Sequence, residues 1–199
     1  MKRIIAILII LITITVTTSS AAEKMSGPFG FEMGMSLNEV QKYGNVEQLN
    51  QPNVYRMKTA PKPSSMISEY ILILTKENGL VKLIASTKPR ITDNFGLEVR
   101  RVYKDILEKL TDSYGNPDKS FDHLLPGSIW DKPNDFMMGL RKKERILSDY
   151  WSSKPYDNNI VSIMMDAKAA NRSYFIIHII YEFQNTKQYY DNKKKQNVF

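Results

Sequence analysis

Residues 160–183 read IVSIMMDAKAANRSYFIIHIIYEF. Two runs rich in β-branched and aromatic residues, Ile160 to Ala170 and Tyr174 to Phe183, flank the turn-forming triplet Asn171-Arg172-Ser173. Val161, Ile163, Met165, Ala167 and Ala169 make one face of the first run. Phe175, Ile177, Ile179, Tyr181 and Phe183 make one face of the second. Both faces fall on the same side of a hairpin only if Met165 opposes Ile179 and Asp166 opposes His178. A slip of one residue would bury the polar set, so this register is the expected one. The opposite face then carries Asp166, Lys168, His178 and Glu182 beside Met164, Tyr174, Ile176 and Ile180. That is too apolar for water alone, and the expectation is a covering helix, with a docking surface as the other reading.

A second hairpin reads from Glu69 to Thr87, with Asn78-Gly79 predicting a two-residue type I′ turn. Its first strand is apolar on both faces and should be central and covered on both sides. Phe95 to Tyr114 predicts the longest helix: Phe95, Val99, Val102, Tyr103, Ile106, Leu110 and Tyr114 form one stripe, and Gly115 and Pro117 stop it. Met35 to Tyr43 reads as a short helix opened by Ser36 and Glu39, and Pro52 to Pro63 as an irregular strand or edge. A strand is expected at Ser128–Trp130 and a further helix over Asp135–Trp151. Val40 to Asn45 echoes Thr111 to Asn116, each closing a helix that precedes strand-like sequence. The fold class expected is α+β: a mainly antiparallel sheet with two to three helices on it, in two diverged helix-plus-meander halves.

Met1-Lys2-Arg3, the apolar run Ile4 to Ile12 and the small residues Ser19 to Ala22 have the form of a cleaved secretory signal. The run is too short to span a bilayer, and no later stretch approaches spanning length. The organisation expected is a signal peptide at 1–22, one α+β domain at 23–186 and a basic, flexible tail at 187–199, with the mature chain periplasmic or secreted. The 199 residues carry 28 basic and 21 acidic side chains, net +7. Lys187, Lys193, Lys194 and Lys195 concentrate that excess near the C-terminus, where they could touch an anionic surface. No aromatic-interleaved basic face points to specific nucleic acid.

The absence of Cys excludes disulfides, thiolate metal sites and cysteine nucleophiles. Two His without metal-ligand spacing argue against a transition-metal centre, and no phosphate loop or dinucleotide fingerprint calls for a cofactor. Asp166 with His178 is two-thirds of a hydrolytic triad, and Asp122-His123 is a second Asp–His pair in a loop. No Gly-x-Ser-x-Gly elbow supplies the nucleophile. The leading expectation is a non-catalytic binding or accessory protein that docks a protein partner through Met164, Ile176 and Ile180, with Lys193, Lys194 and Lys195 as a secondary contact. The alternative is a small exported hydrolase built on Asp166, His178 or His123.

Phe31 to Val40 reads FEMGMSLNEV and resembles the Gly-Met-Ser/Thr-x-x-Glu/Gln-Val helix start of the SmpA/OmlA (BamE-like) envelope proteins. The resemblance implies a small exported α+β domain that acts as a binding and assembly part of the cell envelope. This chain departs from those proteins in having no Cys to lipidate and in being longer by a helix and a hairpin. No functional residue carries over.

Overall fold

The computed structural model describes residues 27–196; the expected signal peptide lies outside them. After a 3-10 turn at Pro28–Gly30, helix α1 (Leu37–Gln41) leads into strands β1 (Glu47–Gln48), β2 (Val54–Met57), β3 (Ile67–Thr75) and β4 (Gly79–Thr87). A two-residue strand β5 (Arg90–Ile91) precedes helix α2 (Leu97–Tyr114). Then follow β6 (Lys119–Leu124), helix α3 (Phe136–Lys142), β7 (Arg145–Trp151), β8 (Ile160–Ala169), β9 (Tyr174–Phe183) and helix α4 (Thr186–Gln196). Every ladder is antiparallel, in the order β1-β2-β3-β4-β9-β8-β7-β6, with β5 beside the end of β9. The fold is α+β.

That order is palindromic. Each half is a helix followed by a four-stranded meander, α1 with β1–β4 and α2 with β6–β9, and the last strand of each half meets the other at a central seam. The faint Tyr-Gly-Asn echo therefore marks the same topological point in both halves, the exit from the helix.

The hairpin β8–β9 has the expected register, with Met165 opposite Ile179 and Asp166 opposite His178. A bulge at Val161 alters its far end: Val161 turns outward and Ile160 takes the core position. The β3–β4 hairpin forms, but not through a type I′ turn. Thr75 pairs with Gly79 around Lys76–Asn78, only Gly79 is left-handed (φ +61°), and the Asn78 N–H donates to Thr75 Oγ1 at 2.9 Å. The reason is a close approach. The lead-in chain pairs with this turn through Gly34 N to Leu80 O (2.9 Å) and Leu80 N to Met35 O (2.8 Å), so a Cβ at Gly79 would sit 2.1 Å from Gly34 O.

Helix α1 is shorter than expected but opens with the predicted capping box between Ser36 and Glu39. Helix α2 begins two residues late. The Asp93 carboxylate accepts from Leu97 N–H, and Phe95 stays exposed outside the apolar stripe. The expected helix over Asp135–Trp151 is wrong beyond Lys142. Lys143 adopts the left-handed region (φ +61°), and the chain returns as β7 to fill the slot between β6 and β8. No strand forms at Ser128–Trp130, where Ile129 is exposed; the strand of this region is β6.

The core lies on one face of the sheet. Val99, Val102, Ile106 and Leu110 of α2 pack with Leu72, Leu83, Ile177 and Ile179, and Phe136, Met137 and Leu140 of α3 join the same cluster. The Tyr103 hydroxyl ties α2 to the sheet by donating to Asp149 Oδ2 at 2.7 Å.

Candidate functional site

Antiparallel partners share a face, so the registers define the face turned away from the core. One transverse row runs Tyr150–Met164–Ile180–Ile84–Ile71 across β7, β8, β9, β4 and β3. It ends in Lys119 on the β6 side and in Arg56 and Glu47 on the other. All five members are half-buried. Five strands at about 4.8 Å spacing make an apolar stripe roughly 20 Å long. A parallel row beside it is polar: Ser148–Asp166–His178–Ser86–Glu69, with Phe121 at its β6 end. On the other flank Lys82 pairs with Glu182 at 2.8 Å.

Among the described residues no helix covers the stripe. Helices α2 and α3 pack on the opposite face, which overturns the expected helix cover; α4 reaches only the corner near Val54 and Ile73. The sequence candidates share this face: Met164 and Ile180 lie in the stripe, Asp166 and His178 in the polar row, and Ile176 opposite Lys168 one row beyond it. Ile71 and Ile73 of β3 also emerge on this face half-exposed, so that strand is not covered on both sides.

Asp166 is the electrostatic centre. It is almost fully buried; its Oδ2 lies 2.6 Å from Lys168 Nζ and its Oδ1 lies 3.6 Å from His178 Nδ1. Asp166 Oδ1 and the adjacent Ser148 Oγ are both buried without a hydrogen-bond partner. Burial pushes the His178 imidazole below its ordinary range; the Asp166 carboxylate opposes this, Lys168 adds to it and Glu69 opposes it. Burial thus outweighs the carboxylate beside it and favours the neutral imidazole.

The row places Ser86, His178 and Asp166 in the nucleophile–base–orienter order of a hydrolase. Ser86 and Ser148 are the residues that sequence reasoning missed, because their places depend on the β4–β9 and β7–β8 pairings. No hydrogen bond joins Ser86 to His178 among the described residues. The row also crosses interior strands, whose N–H groups are committed to ladders and so offer no oxyanion hole.

Asp122 and His123 are adjacent in β6 and so point to opposite faces. Asp122 bridges Arg100 (2.9 Å) and Arg145 (2.5 Å) on the helix side, while His123 lies 5.9 Å from the Phe121 ring on the outer side. The loop pair is thus no pair. Residues 187–196 of the segment expected as a flexible tail lie in α4, anchored at its start by Asn185 Nδ2 donating to Asn78 O and Leu80 O. Lys193 and Lys195, but not Lys194, face a cleft of about 860 Å³ with Tyr189, Tyr190 and Asn53. These lysines therefore lie at the Val54–Ile73 corner of the outer face, off the Asp166 row.

Among the described residues no cluster of His, Asp and Glu could hold a metal ion, and no helix is long and apolar enough to cross a membrane. No protein-family model matches the chain, and neither a curated protein nor a solved structure proves similar to it.

Proposed function

We propose that this chain is an exported, non-catalytic binding protein of the cell envelope that docks a protein partner on its outer sheet face. The observation that carries the reading is the transverse apolar stripe Tyr150–Met164–Ile180–Ile84–Ile71, left without a helix among the described residues. Its form favours a protein surface as occupant. The stripe is long and shallow rather than a pocket, and both flanks carry mixed charge, Asp166 with Lys168 and Glu182 with Lys82. A polyanion would meet those carboxylates, whereas a protein ridge with apolar centre and polar rim fits them. Export rests on the signal-like N-terminus, and the envelope setting on the SmpA/OmlA-like segment Phe31–Val40.

A photo-crosslinker at Ile176, used in the source envelope with mass-spectrometric readout, tests this. One abundant partner should be captured, and Ile180→Asp should abolish capture while Ile129→Asp, far from the stripe, leaves it intact. Capture that survives Ile180→Asp in a folded protein overturns the reading.

The order Ser86–His178–Asp166 favours a second reading, an exported hydrolase. Ester hydrolysis lost in both Ser86→Ala and His178→Ala at unchanged melting temperature would establish it in place of the first.

A further inference from the structure

The two halves differ most in their helices: α2 has eighteen residues and α1 only five. In the N-terminal half the segment Pro28–Phe31 also packs on the core cluster, with Phe31 fully buried and Phe29 against Tyr70 and Tyr181. Beside α2 this leaves a cavity of about 210 Å³ on the core face, next to the seam between the halves. Its walls are mainly apolar, with Phe29, Met66, Ile67, Ile106, Leu110 and Ile179. An engineered apolar cavity of about 150 Å³ holds a benzene molecule, so this space suits one ring or a short alkyl chain.

Two features distinguish it from a packing defect. Phe29 holds the left-handed backbone region (φ +54°), unfavourable for an aromatic residue, and its ring meets Tyr70 edge-on at 5.3 Å and Tyr181 at 6.2 Å. Backbone strain of this kind gathers at ligand clamps. At the mouth, Lys109 folds its Nζ to within 3.5 Å of Met66 Sδ, and among the described residues no carboxylate pairs with it. An exposed cation thus stands at the rim of a mainly apolar hole, with no carboxylate partner among the described residues. Ser64 and Ser113 also lie on the lining and supply hydroxyls.

We infer that this cavity is a binding site for a small amphiphilic carboxylate, a short acyl or aryl acid whose apolar end enters between Ile106 and Ile179 and whose carboxylate meets Lys109. The site lies across the sheet from the proposed docking stripe, so the two stand or fall separately.

Methyl NMR titration with octanoate and, separately, 1-hexanol tests it. Octanoate should shift the Ile106, Leu110 and Ile179 methyls saturably and raise the melting temperature. Lys109→Gln, a surface change that spares the fold, should weaken octanoate at least about tenfold, as for loss of a charge-assisted contact, and leave 1-hexanol unaffected. Ile106→Phe should block both probes. No shift at these methyls at millimolar octanoate, or equal octanoate affinity in Lys109→Gln, overturns the inference.

Discussion

His178 sits between opposing influences, and burial wins. Its folded-state affinity for a proton lies below that of the unfolded chain, whose imidazole titrates near 6.5. As pH falls the unfolded state therefore takes up its proton first. The stability attached to a neutral His178 is complete above about pH 6.5 and is lost as pH drops toward the folded value. Urea midpoints measured at about pH 7.5 and about pH 5.5 should differ in the natural protein and converge in His178→Gln. An unchanged difference in the variant would assign the pH response to another group. Tyr103 behaves in the opposite sense. Burial and then the Asp149 carboxylate hold its phenol far above the ordinary range, so it remains a donor to Asp149 at every working pH. The Asp166–His178 pairing was legible in sequence because period-two alternation sets a register. Ser86 and Ser148 were not, since no local pattern tells which distant strand will lie alongside.

At the scale of elements, the misreading of β7 has a single physical cause. Asp149 points into the core side, where the hydroxyls of Tyr103 and Ser120 satisfy it. A polar residue at an inward position erases the alternation that announces a strand, while Leu140, Leu147 and Trp151 happen to fit helical spacing. The β3–β4 turn teaches a related point. Asn78-Gly79 announced a hairpin correctly, but Gly79 is required by the chain that crosses it rather than by the turn type alone. Both Gly34 (φ +80°) and Gly79 (φ +61°) are left-handed, yet a Cβ at Gly34 meets only Asn78 O at 3.9 Å. Gly34→Ala should cost about 1–2 kcal/mol from backbone strain. Gly79→Ala adds the collision with Gly34 O and should cost clearly more. Equal losses by urea denaturation would mean that the crossing chain yields freely.

For the whole molecule, the α+β class was readable, and the outline of a helix-plus-meander repeat with it, because the two long hairpins pair neighbours in sequence; β6 and β7 of the second meander were not. What escaped was the joining of the halves, and with it the full width of the outer-face stripe and the Lys109 cavity; the part of that face on β8 and β9, with Met164, Ile180, Asp166 and His178, was legible in the hairpin register. The apolar stripe exists only once β4 lies beside β9, and the Lys109 cavity only once Phe29 and Met66 of the first half meet Ile106 and Ile179 of the second.

That seam also governs how quickly the chain can reach its native state. Within each meander, partners are close in sequence and their loops close at small entropic cost; Ile84 and Ile180 must find each other from distant parts of the chain. The search for that one ladder should dominate the folding barrier. In stopped-flow measurements Ile84→Val should slow refolding with little change in unfolding, whereas Val54→Ala in outlying β2 should mainly hasten unfolding. The reverse pattern would place the rate-limiting event in the N-terminal meander. On this expectation the barrier to folding lies along a single line of contact, the same line along which the proposed working surface is completed.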